Sequence, residues 1–300
     1  MPITESQLDT WSHQGSVAQS KATCDTIRGV LEAPDAPYAS RKYKTFLQGS
    51  YANDTNIYAD SDVDIVMRLD SVFYQDLDNL PQDQKEAYQK AFSDAEYSCS
   101  QFKQEVVIQL SRPKYFGSAV TAGNKAIFIK GNGNRRDADV LPAAQFRKYT
   151  RFRSFSDQSY VEGICFWTSD GTRIVNHPKQ HSDNCTSKHQ QTNSWFKKTV
   201  RVWKNARNRM VADGVIKDGL APSYFVEGML YNVPSANFGG SHADTFVKCL
   251  NWLHNADRSK LVCANEQYKL LHDTSPVTWR KEKYEAFVSG LIAFWNAWGK

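Results

Sequence analysis

The sequence predicts an α+β chain in which strands gather in the first half and helices fill the second. Three observations predict it. Between residues 62 and 141, short β-branched runs are bounded by turn residues, as in Asp62-Val-Asp-Ile-Val-Met-Arg68. From about residue 190 the apolar spacing changes to a helical repeat, with Phe196, Val200, Trp203 and Met210 on one stripe. The chain has 300 residues, 41% apolar and 23% charged, which is a globular balance and excludes a disordered chain or a coiled coil.

In chain order, apolar positions from Leu8 to Leu31 predict one or two helices, ended by Pro34 and Pro37. Strands are predicted over 62–68, 104–111, 125–130 and 136–141, and a helix over 83–103. Gly131-Asn-Gly133 lacks the Lys-Ser/Thr of a phosphate loop and reads as a turn between the last two strands. Residues 170–192 read as a long polar loop, followed by helices over 194–210, 222–232, 243–254 and 277–297. The predicted division is 1–165 as an N-terminal α+β lobe and 166–300 as a mainly helical lobe.

No apolar run approaches the ~18 residues of a membrane span, so no membrane partner is expected. Met1-Pro-Ile-Thr-Glu-Ser has neither the basic nor the apolar region of a secretory signal. The six cysteines are scattered, with no Cys-x-x-Cys pair, which fits a reducing compartment. A cytoplasmic protein is the expectation.

Net charge is +5, but its distribution is more informative. Residues 106–136 and 184–212 contain no Asp or Glu and carry thirteen Lys and Arg between them, while acids concentrate over Asp54–Glu96. Acids beside basic stretches suit metal and phosphate binding, although such charge runs are also common on solvated faces.

The acids have a pattern. Gly49-Ser50 is followed twelve residues later by Asp62-Val63-Asp64, entering an apolar strand. Alternate strand residues share a face, which puts the two carboxylates on one side, about 7 Å apart along the backbone. Two such charges repel unless a divalent cation with hard oxygen ligands sits between them. A third acid opens another predicted strand in Arg135-Arg-Asp-Ala-Asp-Val-Leu-Pro142. Strand parity does not separate Asp137 from Asp139; the continuation Val140-Leu141-Pro142 favours Asp139. Backbone N–H groups of a Gly-Ser turn can donate to phosphate oxygens.

Leu47-Gln-Gly-Ser-Tyr51 with Ser61-Asp-Val-Asp-Ile65 resembles the signature of the polymerase-beta-like nucleotidyltransferase superfamily. The resemblance implies a mixed sheet with flanking helices, a helical lobe, and an active site in the cleft between them. It implies that Gly49 and Ser50 grip a nucleoside triphosphate. Asp62, Asp64 and Asp139 would be the catalytic acids, binding two Mg²⁺ ions, with Mn²⁺ as a substitute.

In the second half, Lys197, Arg201 and Lys204 are spaced to form one positive helix face, and Pro222-Ser223-Tyr224 opens the next helix with Pro at its first position. Thr192-Asn193, the Phe196–Asn205 stretch and Pro222-Ser-Tyr-Phe-Val-Glu-Gly-Met-Leu-Tyr-Asn-Val-Pro234 make the sequence similar to the cGAS/DncV-like nucleotidyltransferases of bacteria, over roughly residues 45–235. By that resemblance Lys204 and Ser223 contact donor phosphates, Tyr224 stacks on the donor base, and Arg201 and Lys197 assist. Arg173-Ile-Val-Asn-His-Pro-Lys-Gln-His-Ser-Asp-Asn184 looks like the E clade, in which pyrimidine use is frequent and an Asn is associated with uracil; Asn176 is the candidate.

The resemblance implies a monomeric bacterial cyclic-oligonucleotide synthase for anti-phage defence. It would join nucleoside triphosphates, UTP and ATP foremost, without needing nucleic acid, and its product would activate an effector. A template-independent RNA nucleotidyltransferase and a non-catalytic, antitoxin-like nucleotide-binding module are the alternatives. His177, His181, Cys185 and His189 fall every four residues, as zinc ligands on a helix would. Pro178 and Ser182-Asp-Asn184 favour a loop there, in which that spacing has no geometric meaning.

Overall fold

The structure is a computed structural model and describes residues 3–15, 17–58 and 62–298. Ser61 of the acidic motif lies outside the described residues. The described elements run α1 (Glu5–Ser12), α2 (Ala18–Leu31), β1 (Tyr43–Leu47), α3 (Gly49–Ala52), β2 (Val63–Asp76), α4 (Gln82–Ala91), α5 (Cys99–Leu110), β3 (Val120–Ala122), β4 (Ile127–Ile129), β5 (Ala138–Ser154), β6 (Asp157–Trp167), β7 (Arg173–Asn176), α6 (Pro178–Gln191), α7 (Phe196–Ala212), α8 (Ser223–Asn232), α9 (His242–Asn255) and α10 (Lys281–Ala297). No described helix is long and apolar enough to cross a membrane.

The chain forms two compact units. One gathers Ala18–Gln48 and Asp62–Pro178; the other gathers Met1–Val17, Gly49–Ser61 and Lys179–Lys300. This differs from a single cut between residues 165 and 166. The N-terminal helix is one reason: Leu8 of α1 is fully buried in the same apolar cluster as Trp203 of α7 and Phe246 of α9. Glu5 also accepts the backbone N–H groups of His242 (2.6 Å) and Ala243 (2.9 Å), capping α9 from a distance in sequence that periodicity cannot show.

The first unit is a mixed seven-stranded sheet of order β1-β2-β5-β4-β3, with β6 paired to β5 and β7 to β6. Among the described strands only β2 and β5 pair in parallel. One sheet face carries Val63, Ile65, Met67, Ala138 and Val140, which share a core with Ile27 and Leu31 of α2 and Phe102, Val106 and Leu110 of α5. Each of these side chains larger than alanine contributes about 1.5–3 kcal/mol by leaving water. The other face is therefore left to residues of opposite parity, among them Asp64 and Asp139. Pro142 is tolerated inside β5 because it falls where that strand changes partner, between β4 (to Val140) and β6 (from Ala144).

The strand predicted over 104–111 is instead the end of helix α5. Its β-branched run Val106-Val107-Ile108 misleads; a capping box of Ser98 and Gln101 starts the helix, and the buried positions Phe102, Val106, Gln109 and Leu110 follow a helical repeat. The predicted 170–192 loop is β7 followed by α6. Its polarity hid it, because α6 buries only a narrow stripe of His181, Cys185 and Lys188.

The second unit packs α1, α3 and α6–α10 around Trp203, Phe246, Trp279 and Phe287, all of them buried. Helix α7 buries both of its sides: Phe196, Val200 and Trp203 as predicted, and also Lys197, Arg201 and Lys204.

Candidate active site

The acidic site is built by strand register. Asp64 of β2 and Asp139 of β5 are direct partners in the parallel pair, so they share a face at about the 4.8 Å spacing of neighbouring strands. Asp62 precedes β2 and is exposed, while Asp64 and Asp139 are half-buried. Burial, and then the nearby charges of Asp62 and Asp137, push the Asp139 carboxyl above its ordinary range. Like charges crowded with hard oxygen donors fit a divalent cation, which removes the repulsion that raises Asp139.

The ambiguity between Asp137 and Asp139 is resolved by a turn. Asp137 Oδ1 accepts the Gly131 N–H at 2.6 Å, so that carboxylate closes the β4–β5 connection. Asp139 is the one opposite Asp64.

The Gly-Ser motif lies in the helical unit as the one-turn helix α3. Gly49 has φ +71°, a conformation that disfavours a side chain and lets the chain turn sharply into Ser50. The turn is closed by Asn53 N–H donating to the Gly49 carbonyl (3.2 Å) and Thr55 N–H to the Ser50 carbonyl (2.9 Å).

The basic face of α7 is not an open stripe. Lys204 is fully buried, and its Nζ donates to the Thr55 carbonyl at 2.9 Å. Arg201 donates to the carbonyls of Ser12 and Asp54, and Lys197 Nζ meets the Asp54 carboxylate at 3.0 Å. In this structure the three cations hold the segment that follows Gly49-Ser50. They sit inside because α1 and the 53–55 segment cover that side of α7, which helical periodicity alone cannot show.

Pro222 is the N-cap of α8, one position before the expected one, and Ser223 is the first helical residue. Ser223 Oγ accepts from Arg207 at 3.2 Å. Tyr224 stacks on His181, with ring centroids 4.6 Å apart, and its hydroxyl accepts from Asn265 at 3.0 Å. One face of the ring expected to hold a base thus carries an imidazole. Asn176 ends β7, and its Oδ1 accepts the His177 N–H at 2.8 Å, leaving Nδ2 as its donor end.

Sequence reasoning missed Glu227. It is fully buried on α8 and accepts from Asn53 Nδ2 (3.1 Å), from the Thr55 hydroxyl and from His181 Nε2 (2.6 Å). Burial would raise its carboxyl, but the His181 and Thr55 bonds and the Lys204 charge outweigh that and hold it below the usual range. The available signal was an acid inside Phe225-Val-Glu-Gly-Met-Leu230. His181, Cys185 and Glu227 come together, as α6 permits. The 2.6 Å between His181 and Glu227 is a hydrogen-bond distance, shorter than the roughly 3.3 Å between two ligands of one tetrahedral zinc.

His189, also on α6, accepts the Lys197 N–H at its Nδ1 (3.2 Å) and must be neutral to do so. Burial first, and then the charges of Lys197 and Arg201, lower its pKa to about 4. The unfolded imidazole protonates near 6.5, so stability present above that pH falls as pH drops toward 4, by at most about 1.4 kcal/mol per pH unit for one proton. Denaturant melts at pH 7, 6 and 5 are expected to show this slope, and His189→Asn to reduce it; an unchanged slope in the variant contradicts the assignment.

Fold and acids together define a nucleotidyltransferase core with a helical partner unit. Residues 183–296 match the C-terminal helical domain of the cGAS/DncV-like nucleotidyltransferases. The sequence is 41% identical to the cyclic UMP-AMP synthase of Rhodothermus marinus (strain SG0.5JP17-172), over the full length of both chains. It is 35% identical to the cyclic nucleotide synthase CdnE01 of Staphylococcus haemolyticus, covering 99% of this chain and 100% of that one. The solved Rhodothermus marinus CdnE c-UMP-AMP synthase with Apcpp and Upnpp superposes with TM-score 0.88 at 40% identity, covering 100% of this chain and 98% of that one. The chain belongs to the cGAS/DncV-like nucleotidyltransferases, in their E clade.

Proposed function

We propose that the protein is a cyclic dinucleotide synthase that joins UTP and ATP. The observation that carries the nucleotidyl transfer is the register of Asp64 with Asp139, with the charge of Asp62 acting on the same site. Asp62, Asp64 and Asp139 would hold two Mg²⁺ ions; enzymes of this family use divalent metals. Divalent ions held there would neutralise triphosphate charge and lower the pKa of the attacking ribose hydroxyl. The Gly49 and Ser50 N–H groups donate to donor phosphate oxygens. The hydroxyl gives up its proton to solvent as its oxygen bonds to the α-phosphorus, the bond from that phosphorus to the β-phosphate oxygen breaks and pyrophosphate leaves, and a second such step closes the ring.

Base choice varies among the relatives, which include a cyclic UMP-AMP synthase at 41% identity, a cyclic dipurine synthase at 34% and a cyclic dipyrimidine synthase at 31%. The highest of these identities supports one pyrimidine and one purine. Asn176 supports it too: with Oδ1 fixed by His177 N–H, its Nδ2 can donate to a uracil carbonyl. The same proposal includes a monomer in the bacterial cytoplasm, needing no nucleic acid, whose product activates an effector in anti-phage defence. Free, buried cysteines throughout support the reducing compartment.

The test is to incubate the pure protein with the four labelled nucleoside triphosphates and Mg²⁺, treat with phosphatase, and identify products by mass spectrometry. A phosphatase-resistant cyclic UMP-AMP is expected. Long ladders would indicate an RNA nucleotidyltransferase, and bound but unconverted nucleotides a binding module.

A further inference from the structure

The strip Asn53-Asp54-Thr55 carries no motif, yet charged side chains from two helices engage each of its residues. Glu227 of α8 accepts from the Asn53 amide (3.1 Å) and the Thr55 hydroxyl. Lys204 of α7 takes the Thr55 carbonyl (2.9 Å), Arg201 the Asp54 carbonyl, and Lys197 the Asp54 carboxylate (3.0 Å). Asp54 has φ +53°, a left-handed conformation uncommon for a residue with a Cβ, and it is held there through both its carbonyl and its side chain.

The Glu227 and Lys204 charges are buried, and buried charges add little stability over apolar packing of the same volume. What they do provide is a fixed backbone position. That position is passed on to the phosphate turn, because Asn53 N–H and Thr55 N–H bond the carbonyls of Gly49 and Ser50. A turn whose N–H groups must converge on phosphate oxygens benefits from being ordered before the ligand arrives.

We propose that Glu227 and the Thr55 hydroxyl form a positioning lock that sets the Gly49-Ser50 turn in its phosphate-binding geometry. The proposal rests on the phosphate role assigned above to that turn. Glu227 touches no nucleotide in this account; it acts through Asn53 and Thr55.

The test compares Thr55→Val, which keeps the shape and removes the hydroxyl, with Thr55→Ser, which keeps the hydroxyl. Affinity for a non-hydrolysable UTP analogue with Mg²⁺ is measured by calorimetry, well below the melting temperature of each variant. Thr55→Val is expected to lose about tenfold in affinity, and Thr55→Ser to stay within about threefold of wild type. A merely structural role would lower melting temperature in both variants without separating their affinities. Ser50→Glu, which sets a charge against the phosphates, is the control. If Ser50→Glu loses binding while Thr55→Val binds like wild type, the lock is overturned and the phosphate role stands. If Ser50→Glu itself binds like wild type, the phosphate role fails and the lock with it. Should Thr55→Val not fold, Asn53→Ala replaces it: a loss of about threefold supports the lock, and wild-type affinity overturns it.

Discussion

Replacing Asp64 or Asp139 with Asn is expected to lower cyclic product formation by about a thousandfold or more while the protein remains folded. Asn keeps the size of the side chain and removes the negative charge needed to hold a divalent ion. The two residues are strand partners on the sheet face that carries no α2–α5 core, so neither substitution opens a cavity in that core. Asp139 is crowded by the charges of Asp62 and Asp137, and relieving that crowding costs no stability. Product is quantified by chromatography and folding by thermal melts. Variants that melt like wild type and still make substantial product contradict the assignment of the acids.

Lys204→Ala is expected to destabilise the helical unit by about 3–5 kcal/mol, because it removes a positive charge that helps hold the buried Glu227 carboxylate and leaves the Thr55 carbonyl without its donor. The resemblance to other family members led to a different expectation, a phosphate contact whose loss mainly weakens nucleotide binding. Denaturant titration separates the two. A variant of wild-type stability with greatly reduced nucleotide affinity would support the phosphate contact; a large loss of stability supports the place of Lys204 beneath the 53–55 strip.

The acidic pattern was legible because it is local. Gly49-Ser50, Asp62-x-Asp64 and a later strand-opening acid can be read from spacing and strand parity, and the β2–β5 register then brings Asp64 opposite Asp139. The helices from α7 onward were legible because each buries a wide apolar stripe. What escaped depends on tertiary contact. Val106-Val107-Ile108 looks like a strand until Phe102 and Leu110 are seen on the same buried side. Helix α6 looks like a loop because its buried stripe is His181, Cys185 and Lys188. The cations of α7 look solvated until Asp54 and Thr55 are found against them. Glu227 has meaning only with partners distant in sequence, Asn53, Thr55 and His181.

The central claim is that the three acids hold divalent ions together with a bound nucleoside triphosphate. Electron paramagnetic resonance of a Mn²⁺ titration, with saturating non-hydrolysable UTP analogue, tests it most directly. Wild-type protein is predicted to bind two Mn²⁺ per chain, and Asp139→Asn to lose at least one of them with its fold intact. Equal Mn²⁺ binding by the wild type and by a variant lacking both Asp64 and Asp139 would contradict the account.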